Sequence, residues 1–316
     1  MTPPQAEAPP DDAFGQRTVT RDAVAQFAAL TGDYARIHLD HHLGAQTPAG
    51  RGFAHGLLSA SWALGALTLY RPAALGCDAA DAVPSALAVR FEDVVHFDDT
   101  LHFCTADPIA ADGLADPRSG TPTGFEVATQ DGRQVTRGHL LVSREDPPVA
   151  PAPWRVEAAP PLDGDTRLGA EAVFAHGPRG RARVRTITES DVVGFCNFSG
   201  DLHPLYLDAP FAATSRFGAR TVPPMLAFCL AFGSWLREFL RLPMAGGEMT
   251  AGHLGDRWRS VAPIYWGDTL EVRFRPERLR KTRSQPVRGV LTYGLQLVNQ
   301  RGRVVQLAEV DLMLSI

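Results

Sequence analysis

The chain has 316 residues, is 45% hydrophobic and 21% charged, and carries a formal net charge of −4. That length fits about two domains with sizeable cores, and the acidic balance gives no reason to expect nucleic acid or an anionic membrane as partner. Its four cysteines (Cys77, Cys104, Cys196, Cys229) show no zinc spacing, so they read as buried thiols and no metal is expected. The first residues are acidic and proline-rich, without the basic and apolar segments of a signal peptide. The expectation is a cytoplasmic protein that starts with a short disordered tail.

The first predicted element is a short amphipathic helix, capped by Thr20 and ending near Gly32. A polar, irregular stretch holding Asp33 and His38 follows. Gly56–Tyr70 is apolar on nearly every face, which predicts a buried helix. It contains Ser and Gly and is shorter than the roughly 20 residues of a membrane span. Strand patterns then run over Ala86–Phe91, Thr100–Thr105, Phe125–Gln130 and Gln134–Arg144, with Asp131-Gly132 as the hairpin signal between the last two. Residues 145–167 are rich in Pro and Ala and form a linker in which Trp154 is expected to pack on a domain surface. The pattern then starts again: Thr188 as a cap, a helix ending near Gly200, an apolar helix over about 224–240, and strands Thr269–Arg275, Gly289–Asn299 and Arg303–Leu314.

The recurrence is also one of residues. Thr18–Asp33 aligns with Thr186–Asp201 at an offset of 168, which holds through Leu39/Leu207, Asp40/Asp208, Leu58/Leu226 and Gly65/Gly233. It slips by one at Asp98–Leu101 and Gly267–Leu270. Such a spread implies two homologous units, 14–144 and 168–316. One long buried helix followed by long antiparallel strands places each in the α+β class.

The first unit holds a constellation with chemical content. Gly32-Asp33 is followed five residues later by His38, and Ala54-His55-Gly56 opens the buried helix. The first amides of a helix lack internal partners and lie at its positive end, and a glycine there lets a ligand oxygen approach the backbone. An acid, a base and an oxyanion donor are the parts for proton chemistry beside a carbonyl. No Gly-x-Gly-x-x-Gly or Walker pattern follows a strand, and Ser59 and Ser61 lack the setting of a nucleophile elbow.

Phe27–Asp40 (F-A-A-L-T-G-D-Y-A-R-I-H-L-D) and F-A-H-G-L-L from Phe53 resemble the MaoC-like, (R)-specific enoyl-CoA hydratase family. The resemblance covers both units. It implies a double hot-dog fold, each unit being a long helix wrapped by a curved antiparallel sheet. It also implies reversible addition of water across the 2,3 double bond of an acyl-CoA or acyl-carrier-protein thioester, giving an (R)-hydroxyl, with no cofactor beyond the thioester itself. Asp33 and His38 would hold and activate the water, and the Gly56 amide would polarise the thioester carbonyl. His55 would order the loop beside the substrate. Where the family has Asn-Pro this chain has Ala35-Arg36, and Arg36 reads either as a surface arginine or as a contact for a carrier phosphate. The second unit keeps Asp201, but Tyr206 replaces the histidine and Pro223-Pro224 replaces His55-Gly56. A phenol is a poor base near neutral pH, and proline has no N–H to donate. One active site per chain is therefore expected, with Asp201 and Tyr206 in a degenerate half whose space receives acyl chain or carrier. His203 beside Asp201 is a candidate for a rebuilt dyad. Two rivals are a hot-dog thioesterase and a non-catalytic acyl-binding subunit of a hydratase complex. Self-association of such pseudo-dimeric chains into a homo-oligomer is also expected.

Overall fold

The computed structural model describes residues 13–47, 49–71, 83–110, 121–145, 149–155, 168–242, 252–283 and 286–316. The expected tail (1–12), Cys77 and two stretches of the linker (146–148 and 156–167) lie outside the described residues. The N-terminal half runs β1 (Ala13–Thr18), α1 (Arg21–Thr31), α2 (Arg36–Leu39), α3 (His41–Gln46), α4 (Gly56–Tyr70), β2 (Val83–Phe91), β3 (Thr100–Ala106), β4 (Thr123–Thr129) and β5 (Gln134–Ser143). The C-terminal half begins with α5 (Ala170–His176). It then repeats the order as β6 (Gly180–Thr186), α6 (Glu189–Ser199), α7 (Pro204–Leu207), α8 (Ala209–Thr214) and α9 (Pro224–Phe239). Strands β7 (Gly252–Ser260), β8 (Thr269–Lys281), β9 (Arg288–Asn299) and β10 (Val304–Ser315) complete it.

Local chemistry explains the helix ends. Thr20 accepts from the Ala23 amide, and Thr188 forms a reciprocal capping box with Asp191. Gly32 (φ 77°) and Gly200 (φ 84°) end α1 and α6 in the left-handed conformation that glycine tolerates best. The stretches read as irregular contain paired short helices. Asp40 caps α3 and Asp208 caps α8 through their carboxylates.

All ten strands form one antiparallel sheet in the order β1-β3-β4-β5-β2-β7-β10-β9-β8-β6. Five strands belong to each half, and the second five mirror the first. The seam is β2 against β7, with Ala86↔Arg259, Ala88↔Arg257 and Arg90↔Gly255 as partners. At the offset of 169, Ala88 and Arg257 are equivalent residues, and the other two pairs exchange with one another. A pseudo-two-fold axis therefore passes through the middle of the seam. The outermost ladders repeat the same side-chain bond, Thr18 to Thr100 at 2.9 Å and Thr186 to Thr269 at 2.6 Å.

Helix α4 packs on β1, β3, β4 and β5, and α9 on β6, β8 and β10. Leu57, Leu58 and Leu67 on α4 are all but inaccessible, each contributing roughly 1.5–3 kcal/mol relative to an exposed side chain. The halves also pack across one another, α1 on α9 and α6 on α4. Two glycines permit this crossing. A Cβ on Gly233 of α9 would lie 2.6 Å from Thr31 O and 3.0 Å from Asp33 N, and one on Gly65 of α4 would lie 2.0 Å from Ser199 O. Each half thus rests the loop bearing its aspartate on the other half's buried helix.

The three described cysteines are buried. Trp154 lies against the C-terminal strands: its amide donates to Gln296 (2.8 Å), its carbonyl accepts from Arg273 (2.6 Å), and Arg275 stacks over its ring at 4.1 Å. Among the described residues no helix is long and apolar enough to cross a membrane.

Candidate active site

Asp33 follows the left-handed Gly32 and turns into the interior, where it is 4% exposed. Its Oδ1 accepts from the Ala35 amide at 3.1 Å, a local turn that fixes the carboxyl. Burial raises its pKa above the usual carboxylate range, and nearby His38 opposes the rise.

His38 sits on α2, a single turn begun at Ala35 and stopped at Asp40. Its Nδ1 lies 3.1 Å from the Phe53 carbonyl. A carbonyl can only accept, so Nδ1 carries the proton and Nε2 is left with the lone pair. Burial, and then repulsion from His55, lower its pKa to about 3, so the ring is neutral at physiological pH.

His55 is 2% exposed and its ring centroid is 4.0 Å from that of His38. Its Nε2–H donates to the main-chain carbonyl of Asp33 at 3.1 Å. That bond ties the aspartate loop to the mouth of α4. Burial lowers its pKa to about 3 from the ordinary 6.5. The sign of the linkage follows. Between these values the unfolded chain binds a proton that the folded ring refuses, so stability is lost as pH falls from about 6.5 toward 3. Replacing His55 by Gln should flatten this loss, seen as a shallower change in denaturation midpoint between pH 7 and pH 4.5. An unchanged slope would refute the assignment.

Gly56 opens α4, and its amide has no carbonyl one turn earlier in the helix to accept from it. A Cβ here would lie 2.8 Å from the Phe91 ring, so the wall is packed tightly against the glycine backbone. Ser59 and Ser61 bond to the helix carbonyls of Gly56 and Leu57, and Ser59 also to Thr136; both are packing residues.

Two cavities meet at these residues. The larger, about 390 Å³, is lined by Ile37, His38, Phe53 and Gly56 from one half and by His253 and Arg288 from the other. The smaller, about 60 Å³, lies deeper and contains Asp33, His55, Phe232, Leu236, Phe239 and Leu312 in its wall. Ile37, His38, Gly56 and His253 line both. The site is thus built from both halves: Asp33, His38, His55 and Gly56 come from the first, and His253, Arg288 and the apolar floor of α9 and β10 come from the second.

Asp33, His38, His55 and Gly56 converge as the sequence indicated. Arg36 does not join them. It is exposed, forms an ion pair with Asp40 at 2.8 Å, and lines neither cavity, because the first residue of α2 lies two positions before His38 and so on the opposite side of the helix. The cation at the mouth is Arg288, which no motif marks. Asp201 and Tyr206 line neither cavity and are 3% and 1% exposed. Thr68 of α4 supports the Asp201 carboxyl, whose pKa burial pushes up to about 7. His203 does not rebuild a dyad as read from the sequence: its Nδ1 accepts from the Leu205 amide and caps α7. Pro223 caps α9 and Pro224 occupies its first turn, so neither has the backbone N–H that Gly56 presents at the start of α4.

Asp33, His38 and His55 each offer one donor atom within 4.8 Å of the others, the one such group of metal-ligand type among the described residues. His55 Nε2 is already committed to Asp33 O and its Nδ1 has no hydrogen-bond partner, so this ring serves the loop through one nitrogen.

The chain matches two family models: the MaoC like domain over residues 5–107, and the FAS1-like, dehydratase domain region, over residues 178–308. It is 35% identical over 103 residues to a 3-hydroxybutyryl-CoA dehydratase of Methylorubrum extorquens, covering 30% of this chain and 60% of that protein. It is 33% identical over 94 residues to Protein MaoC of Klebsiella aerogenes, covering 30% of this chain and 26% of that protein. The aligned parts are thus less than two thirds of either relative. Among solved structures, a MaoC domain dehydratase of Chloroflexus aurantiacus superposes with a TM-score of 0.65 at 18% identity, over 98% of this chain and 99% of that one. A conserved hypothetical protein of Mycobacterium tuberculosis with a double hot-dog fold gives 0.61 at 18% identity, over 96% and 94%.

Proposed function

Because the chain is a MaoC-like double hot-dog protein, we propose that it is a hydro-lyase acting reversibly on the 2,3 double bond of a short acyl thioester carried by coenzyme A or an acyl-carrier protein. The observation that carries the reading is the meeting of a neutral His38, a buried Asp33 and the first amide of α4 at the junction of two cavities. One relative acts, by its name, on 3-hydroxybutyryl-CoA. The small volume of the cavity floored by Phe232, Leu236 and Phe239 supports a short acyl group.

In the hydration direction, Asp33 and His38 Nε2 hold a water molecule. Burial strengthens Asp33 as a base, and it takes one water proton. The water oxygen bonds to C3, and charge moves onto the thioester oxygen, which the Gly56 N–H stabilises. The proton returns to C2, so both hydrogens and the oxygen of water end in the product. Arg288 at the mouth is placed to meet a carrier phosphate.

Purified protein should convert crotonyl-CoA to 3-hydroxybutyryl-CoA, followed by loss of the conjugated-thioester absorbance. Release of free thiol without hydration would instead identify a thioesterase. This reading invokes no resident metal, so prolonged dialysis against EDTA should leave the hydration rate unchanged. A loss restored by adding back a divalent cation would assign the Asp33/His38/His55 group to metal binding.

A further inference from the structure

His253 belongs to no motif, and it stands where the two cavities meet. An acyl group reaching the deep cavity from the mouth passes between His253 and the Ile37/His38/Gly56 side. The ring is held on several sides. Phe91 of β2 lies 4.7 Å from it, and Phe232 of α9 stacks on it at 4.9 Å with 18° between the planes. Its Nε2 bonds to Asp256 Oδ1 at 2.8 Å, three residues further along β7 and across the register shift between His253 and Gly255.

Asp256 is an expensive residue to place there. It is 1% exposed, and its Oδ2 has no hydrogen-bond partner among the described residues. Burying a carboxyl for a single hydrogen bond works against stability. What the bond does secure is the orientation of a ring on the cavity wall.

We propose that His253 is a substrate-binding residue contributed by the C-terminal half: its ring, stacked on Phe232 and flanked by the inclined Phe91, is the part of the wall against which the enoyl thioester packs where the two cavities meet, across from Ile37, His38 and Gly56, and Asp256 is the positioning residue that fixes the ring. Aromatic rings packed together in this way give a small apolar group a fixed surface to lie against. The naming of the substrate rests on the hydratase reading, whereas the wall itself rests on the geometry.

The test measures binding of butyryl-CoA, which has no double bond to hydrate, by calorimetry, and turnover of crotonyl-CoA by absorbance. His253→Ala should raise both Kd and KM about tenfold, equivalent to about 1.4 kcal/mol, in a protein that still melts cooperatively. Asp256→Ala should weaken binding to a similar degree, and Asp256→Asn, which keeps an acceptor for Nε2–H, should recover most of the loss. The double variant His253→Ala/Asp256→Ala should bind no worse than His253→Ala alone, since Asp256 acts through the ring. Additive losses would reduce Asp256 to a structural residue and overturn that half of the proposal. If His253→Ala fails to fold, His253→Gln serves the same comparison, and wild-type Kd and KM in either folded variant overturn the wall. Wild-type protein that binds butyryl-CoA without hydrating crotonyl-CoA would sink the hydratase reading and leave the binding comparison to decide on His253. No binding by the wild type would overturn both.

Discussion

Asp33→Asn and His38→Ala are each expected to lower kcat/KM for hydration of crotonyl-CoA by about 10²–10⁴-fold, the range attributed to a positioned acid or base. Asn keeps the oxygen that accepts from the Ala35 amide at 3.1 Å, so the loop should hold its shape while losing its proton acceptor. It also removes an ionisable group from a buried position, so thermal stability should stay level or rise. His38→Ala gives up the 3.1 Å bond to Phe53 O on a half-buried, four-residue helix, a modest structural change. Most of the loss should fall on kcat, because the apolar floor that binds the acyl group comes from α9 and β10. Rates within tenfold of wild type for either variant would remove Asp33 and His38 from the chemistry.

The second large effect separates the two halves. Gly233→Ala would put a methyl group within 2.6 Å of Thr31 O and 3.0 Å of Asp33 N, against backbone atoms that cannot rotate away. The loop bearing Asp33 must shift, and a displacement near 1 Å at a reacting group costs about 10²-fold in rate. Gly65→Ala makes the mirror-image clash, 2.0 Å from Ser199 O and 2.9 Å from Asp201 N. It should cost stability, roughly 1–3 kcal/mol for overpacking, while kcat stays within a few fold, since the displaced loop holds no reacting group. Steady-state kinetics beside chemical denaturation of both variants reads the difference. Equal losses of kcat would mean that the Asp201 side also turns over substrate.

Much of this was legible in the sequence, for identifiable reasons. Helix α4 showed itself because fifteen residues without a charged side chain have few other places to go. The caps at Thr20 and Thr188 and the stops at Gly32 and Gly200 carry their own signals. The hot-dog resemblance supplied the pairing of Asp33 with Gly56, which spacing alone leaves open. Three strands went unread. β6 (G-R-A-R-V-R-T) alternates arginine with small apolar residues on an edge, a guarded pattern weaker than a core strand. β1 is only six residues long. β7 (G-H-L-G-D-R-W-R-S) contains two glycines and mixed charge because it lies mid-sheet, where Gly255 must admit Val89 O and Asp256 turns inward. Losing β7 hid the seam, and with it His253, whose place in the site exists only once β2 and β7 are paired.

In a dimer of identical subunits, any substitution is made twice, once on each side of the axis. A proline that removes the oxyanion donor would remove it everywhere, and a floor lined with phenylalanine would fill both pockets. The β2–β7 ladder joins two halves of one polypeptide, so a change on one side is not copied to the other. It also keeps the halves at the high effective concentration of tethered partners. That decoupling lets Pro223-Pro224 open α9 where His55-Gly56 opens α4, while Phe232 and His253 line the cavities beside Gly56. Under the proposed hydration the two halves divide the labour: one supplies the reactive groups, and the other supplies the surface on which the substrate rests.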